Sequence, residues 1–197
     1  QGPVFLELPL DVQAAQVPDA WSEHSRTSSA DEAGAGTPCT SASIADANLI
    51  SDVAARIRSA ERPVLLLGGG LSHRQAHALR GQLASLKLPI MTTWNGADRY
   101  AADHANYAGR PNTWGQRSSN LILQQADLAL AIGSRLGLQQ TGFNWQAFVP
   151  VGEVIQVDID RAELNKPNPR TALAIEADAN AFLSDLLSHD LGDHRDW

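Results

Sequence analysis

The chain has 197 residues, 43% hydrophobic and 19% charged, the balance of an ordinary globular domain rather than of a disordered or membrane-embedded chain. A formal charge of -7, with no cluster of Lys and Arg, argues against nucleic acid or an anionic membrane surface as a partner. Cys39 is the only cysteine, which excludes a disulfide framework and a thiolate metal site and suits a cytoplasmic location.

No apolar run approaches the roughly 20 residues of a membrane span, and no signal-peptide pattern opens the chain. The first residue is Gln1 rather than Met, as in a fragment of a longer polypeptide. Residues 3 to 8, PVFLEL, predict a buried strand stopped by Pro9. The stretch from about Gln13 to Thr40 is rich in Ser, Ala, Gly, Asp and Glu, shows no period, and reads as a flexible linker reaching residue 42. Cys39 lies inside it and has no His in a pairing context, so it is a solvent-facing linker residue.

Ser43 with Asp46 three positions on resembles a capping box, and Leu49, Ile50, Val53 and Ile57 form one helical stripe. Pro63 halts that helix. The apolar run VLLLGGG, Val64 to Gly70, then predicts a buried strand ending in glycines. Ser72 opens a helix with Leu79, Leu83 and Leu86 on one side, and PIMTT is the next strand. A helix over Ser118 to Gln125 leads into the strand ADLALAIGSR, stopped by Gly133. The strands VGEVIQVDID and TALAIEAD follow, and Asp178 caps a last helix carrying Phe182, Leu183, Leu186 and Leu187. Strands without polar alternation, separated by helices, predict a parallel sheet covered on both faces. The core is thus a doubly wound α/β unit over residues 43–190, with 191–197 as a frayed tail.

In such a sheet ligands bind beyond the carboxyl ends of the strands. The residues placed there are Gly68-Gly69-Gly70, Thr92-Thr93-Trp94-Asn95-Gly96, Gly133-Ser134-Arg135, Asp158-Ile159-Asp160 and Glu176-Ala177-Asp178. Glycines let backbone N–H groups approach a phosphate, a cation neutralises it, and a carboxylate accepts from ribose hydroxyls. The glycine run is not a dinucleotide fingerprint, since His73 stands where its third glycine belongs and Thr92 and Thr93 where its acid belongs. Packing alone would also account for that run. Arg135 suits bidentate phosphate binding, and equally a surface ion pair. Asp158 and Asp160 point the same way in extended chain, so one can bind ribose while the other caps the next helix. Asp178 reads more simply as a cap than as a ligand.

Other patterns are set aside. His73 and His77 lie i, i+4 but lack a third ligand. Trp94, Trp114 and Trp145 fall in loops and could stack on a ring, although packing is the commoner use of Trp. Neither a G-x-S-x-G elbow nor a phosphate loop of the G-x-x-x-x-G-K-[ST] type occurs.

Taken together, GPVFLELPLDVQ, RPVLLLGGG, LPIMTTWNG, QQADLALAIGSRL, VIQVDIDRAELNK and IEADA resemble, in order, segments of thiamine-diphosphate-dependent enzymes of the acetolactate synthase type. The resemblance implies that residues 1–12 close a preceding pyrimidine-binding domain and that the rest is the family's central domain. It implies a six-stranded, Rossmann-like FAD/NAD-binding fold of the sirtuin (DHS-like) kind. It also implies an adenine nucleotide, FAD or ADP, as ligand, or a ligand-free scaffold in some decarboxylases of the family. The nucleotide-contacting set it points to is Gly68, Gly69, Gly70, Thr92, Thr93, Gly96, Gly133, Arg135, Asp158, Asp178 and Ala179. No catalytic or metal-binding residue is implied. The glutamate that activates thiamine diphosphate and the G-D-G…N motif that anchors it through Mg²⁺ belong to flanking domains, in a homo-oligomeric parent acting on 2-oxo acids. Departures stand at Gly133-Ser134-Arg135-Leu136-Gly137-Leu138-Gln139, where acetolactate synthases read G-A-R-F-D-D-R, and at Arg110-Pro111-Asn112-Thr113-Trp114-Gly115, in place of a methionine-histidine-glycine stretch. A free-standing NAD enzyme of the sirtuin type is the competing reading, and one cysteine cannot build the four-cysteine zinc module usual there.

Overall fold

The computed structural model describes residues 46–197. The predicted strand at 3–8, the linker at 13–42 with Cys39, and the cap at Ser43 lie outside the described residues. Helix α1 spans Ala47–Ser59 and begins at Asp46, whose carboxylate accepts from the Asn48 amide at 3.0 Å. Ile50, Val53 and Ile57 are buried along one side, and Arg56 and Arg58 stand in the last turn, where cations oppose the helix dipole. Strand β1 follows at Pro63–Leu67, its proline in the first position, where a missing N–H costs no ladder bond.

The helix expected from Ser72 is in fact two short ones, α2 at His73–Ala78 and α3 at Arg80–Ser85, interrupted at Leu79 with φ -91° and ψ 1°. Ser72 caps α2 by accepting from the Gln75 amide. Strand β2 is only Ile90–Thr92, and helix α4 occupies Arg117–Gln125. After β3 (Leu128–Ile132), a single turn, α5, forms at Leu138–Thr141. Strand β4 at Glu153–Asp158 leads to the short α6 at Arg161–Leu164, then to β5 at Leu173–Glu176 and α7 at Ala179–Leu186.

All pairings are parallel and the order is β2-β1-β3-β4-β5. The chain therefore winds outward from β1 to one edge, returns, and winds outward from β3 to the other. The reversal leaves a crevice at the carboxyl ends of β1 and β3. Alternate residues feed two cores. Leu65, Leu67, Leu130, Ile132, Ile155 and Val157 pack with α1, α2, α3 and α7 on one face. Val64, Leu66, Ala129, Ala131 and Val154 pack with Leu123 of α4 and with Phe148 and Val149 on the other. Alanines at 129 and 131 keep the second face of β3 shallow.

Two expectations need correction. The sheet has five strands among the described residues, not six. Beyond β2 the chain from Asn106 to Gly109 runs alongside it, with Ile90 donating to Asn106 O at 2.8 Å and Ala108 donating to Ile90 O at 2.7 Å. Thr92 then reaches Gly109 O instead of Ala108 O, so the ladder slips and stops after one bridge. The tail is not frayed: Leu191 and His194 are buried, and the His194 amide donates to Lys87 O at 2.7 Å. Its apolar Leu191 covers the first core, which outweighs the entropy of a free end. No helix among the described residues is long and apolar enough to cross a membrane.

Candidate functional site

The crevice between β1 and β3 opens into a cleft of about 720 Å³ whose floor is glycine backbone. Gly68 continues the β1 ladder by donating to Ile132 O at 2.9 Å, and Gly133 continues that of β3 by donating to Val157 O at 2.8 Å. The two turns then touch: Gly70 donates to Gly133 O at 2.9 Å. A Cβ on Gly70 would stand 2.8 Å from Gly133 Cα, so this approach tolerates no side chain. Gly133 itself has φ +64°, the left-handed region where other residues are strained.

The turn Gly133–Leu136 carries the polar chemistry. Its three successive carbonyls are engaged within the protein: Gly133 O by Gly70, Ser134 O by the Gln156 side-chain amide at 2.9 Å, and Arg135 O by the Lys166 ammonium. The amides of Ser134 and Arg135 have no protein acceptor among the described residues, and both residues line the cleft. Leu136 closes the turn at φ +47° while buried, its amide on Ser134 Oγ at 3.3 Å. A non-glycine residue held in this region and backed by a buried amide is a conformation fixed by its surroundings. Paired N–H groups in such a turn form an anion-receiving concavity.

Around this turn stand a cation, two carboxylates and several neutral polar groups. The Arg135 guanidinium is largely exposed and lies 3.8 Å from Glu163, a loose pair that leaves its fork available. Asp158, at the end of β4, is buried to 7% exposure; its Oδ1 accepts from the Asp160 amide at 2.9 Å. Its Oδ2 takes no donor among the described residues. Asp160 caps α6 by accepting from Ala162, so of the two acids it is the cap and Asp158 the one open to a ligand. Asn95, Asn112, Gln139 and Gln140 add amides to the wall, and Trp94 and Trp114 stand at the rim 65% and 68% exposed.

Of the residues expected to contact a nucleotide, Gly69, Gly70, Thr93, Gly133, Arg135 and Asp158 line the cleft. The remainder support it from behind. Gly68 is packed against Gly133, and Gly96 sits where a Cβ would be 2.6 Å from Leu67 O. Thr92 is fully buried with its hydroxyl 3.4 Å from the Tyr107 hydroxyl. Asp178 caps α7, accepting from Asn180 and Ala181 at 2.9 Å each, and Ala179 packs under Gly133. Asn112 and Gln139 enter the sequence reading only within the two segments that depart from the family's pattern; the residues it missed are Ser134 as an amide donor, Gln140 in the wall, and Gln156 and Lys166 behind the turn. For Gln156 a signal existed: an amide in the middle of the apolar strand VIQVD. His73 is exposed, with its Nδ1 3.3 Å from Asp98, and no group of three or more metal-ligating side chains occurs among the described residues.

With this geometry in view, comparison with known proteins is specific. The family model described as "Thiamine pyrophosphate enzyme, central domain" matches residues 50–186. The chain is 36% identical over 186 residues to the acetolactate synthase isozyme 1 large subunit of Escherichia coli strain K12, covering 94% of this chain and 31% of that protein. It is 37% identical over 128 residues to the isozyme 2 large subunit of the same organism, covering 64% of this chain and 23% of that protein. A probable acetolactate synthase large subunit of Methanocaldococcus jannaschii is 32% identical over 188 residues, covering 95% of this chain and 30% of that protein. The chain thus spans about a third or less of the length of these relatives.

Proposed function

The chain belongs to the central-domain family of thiamine pyrophosphate enzymes, and from that premise we propose that it is the nucleotide-holding central domain of an acetolactate-synthase-like enzyme acting on 2-oxo acids. The observation that carries this reading is the turn Gly133–Leu136. It offers two amides without a protein acceptor among the described residues and a guanidinium only loosely paired with Glu163, on one side of a cleft whose other side offers Asp158 Oδ2, which takes no donor among the described residues. A diphosphate suits the amides and Arg135, and a ribose hydroxyl suits Asp158. ADP and FAD share that half. The rim of Trp94, Trp114 and neutral amides suits a flat, hydrogen-bonding ring and favours FAD, the ring reaching beyond this domain. The parallel order β2-β1-β3-β4-β5, reversing between β1 and β3, is a Rossmann-like arrangement of the kind that binds nucleotides at its reversal. In this reading thiamine diphosphate and Mg²⁺, which supply the carbanion chemistry, are held by flanking domains of a cytoplasmic homo-oligomer. Calorimetric titration of the chain with ADP, FAD and adenosine tests the proposal. Saturable binding of both nucleotides, each tighter than adenosine, is expected; no binding of either at millimolar concentration makes the domain a ligand-free scaffold.

A further inference from the structure

Resting on that nucleotide reading, we propose that Gln156 is a positioning residue: it fixes the peptide between Ser134 and Arg135 so that the Arg135 N–H faces an incoming phosphate. Gln156 lies in the middle of β4 at 1% exposure and does not line the cleft, so it acts only through what it holds. On that face its register partner Ala131 and Val154 before it belong to the apolar core, with the Asp158 carboxylate following it at the strand end, and a buried amide there is tolerated only when hydrogen-bonded. The bond it makes is to Ser134 O, at 2.9 Å.

Peptide planarity turns that bond into a statement about the cleft. In a trans peptide the carbonyl of one residue and the N–H of the next point in opposite directions. Drawing Ser134 O inward to buried Gln156 therefore drives the Arg135 N–H outward. By the same reasoning, Gly70 holding Gly133 O sets the direction of the Ser134 N–H. On the far side Lys166 holds Arg135 O, and it is itself fixed by Glu163 at 3.1 Å. The turn lies between two positive-φ residues, Gly133 at +64° and Leu136 at +47°, and peptides beside such residues rotate readily unless held. Without the Gln156 donor, rotation of one peptide would present an oxygen to the phosphate instead of an N–H.

The test uses the full chain with Gln156→Leu, which keeps the volume and removes the donor, and Gln156→Glu, which replaces the donor by an acceptor. ADP and adenosine are titrated side by side against each protein, and amide exchange at Arg135 is followed by NMR. Gln156→Leu is expected to weaken ADP about tenfold, as for one lost charge-assisted contact, while adenosine affinity stays within about twofold. Gln156→Glu is expected to be as weak at neutral pH and to regain ADP affinity relative to the parent chain as pH falls, because a protonated carboxyl can donate to Ser134 O again. Equal losses for ADP and adenosine would mean a structural role only and overturn the proposal, as would unchanged ADP affinity. If the parent chain binds neither ligand, the nucleotide reading fails by itself. The exchange measurement then decides the positioning claim: slower exchange at Arg135 in Gln156→Leu, its N–H turned inward from the open cleft for part of the time, upholds it, and an unchanged or faster rate overturns it.

Discussion

A methyl group added to Gly68 would press into Gly133 O and come within 2.8 Å of Ser134 Cα. Those neighbours are backbone and cannot swing away. Gly68→Ala is therefore expected to destabilise the domain by about 3 kcal/mol, the upper end of what overpacking costs, read as a lowered midpoint in urea unfolding. Gly81, in α3, has nothing within 4 Å of the corresponding point, and Gly81→Ala is expected to stabilise by about 0.5 kcal/mol through helix propensity. If both substitutions shift the midpoint equally, the close packing of the two glycine turns is not what limits Gly68. Asp158→Asn keeps the oxygen that accepts from Asp160 and removes the charge; a tenfold or greater loss of ADP affinity is expected, as for a charge-assisted contact of about 1.5–3 kcal/mol. At this scale the sequence was legible for position, since a strand end delivers its following residues to the sheet's carboxyl edge, and Arg135 and Asp158 do line the cleft there. For the two departing segments it gave a stretch and not a side chain: that Asn112 and Gln139, with Gln140 next in the chain, line the cleft depends on how separate loops fold over one another.

Among the elements, the segment after β2 is tied to its surroundings by backbone bonds on one side and by a single side chain on the other. Asn106 donates to the carbonyls of Leu83 and Leu86 at 3.0 Å each, accepts the Tyr100 hydroxyl, and receives the Ile90 amide on its backbone oxygen. It thus closes the end of α3 and fixes the sheet edge together. Asn106→Ala removes the three side-chain bonds, keeps the backbone bond from Ile90, and leaves the Tyr100 hydroxyl and Leu86 O without a partner among the described residues, while Leu83 O retains the Leu86 amide, so a loss of about 2–3 kcal/mol is expected. In thermal unfolding that is roughly 4–12 °C for a chain of this size. Tyr100 gives the same region a pH dependence. Burial raises its phenol above the ordinary 10.0, opposed by the Asn106 hydrogen bond and assisted by the Asp103 carboxylate. A phenol that holds its proton more tightly when folded contributes stability fully present below pH 10 and lost as pH rises through the folded value. Between pH 9 and 11 the unfolding midpoint of Tyr100→Phe is expected to fall less steeply than that of the parent chain; parallel curves would remove Tyr100 as the cause. Helices and strands were readable here from apolar periodicity. The Asn106–Gly109 segment was not, because backbone hydrogen bonds hold it and its residues form no apolar run. The break at Leu79 escaped as well, since Leu79 and Leu83 stay on the same apolar side whether the helix is continuous or broken.

For the molecule as a whole, the parallel sheet with its reversal between β1 and β3 follows from uninterrupted apolar strands alternating with amphipathic helices, a pattern visible without any structure. In the proposed reading, what the domain binds is decided by the few residues at the reversal, which would separate two diphosphate ligands. Anchoring of thiamine diphosphate through Mg²⁺, as the proposed reading assigns to flanking domains, needs oxygen ligands converging on one point. The chain contains no G-D-G…N run, and among the described residues no three His, Cys, Asp or Glu side chains converge. The Gly133–Leu136 turn, in contrast, offers amides and a guanidinium, which hold phosphate without a metal. Ligand-induced stabilisation measures the difference directly. At a hundred times its dissociation constant ADP should add about 2.7 kcal/mol, raising the unfolding temperature by roughly 5–10 °C. Thiamine diphosphate with Mg²⁺ at the same concentration is expected to leave it unchanged, and Arg135→Gln to reduce the ADP shift while its own melting stays near that of the parent, because Arg135 makes only a loose, exposed pair with Glu163. A thiamine diphosphate shift as large as that of ADP, and dependent on Mg²⁺, would place the cofactor's anchor in this domain and reverse the division of labour proposed for the family member.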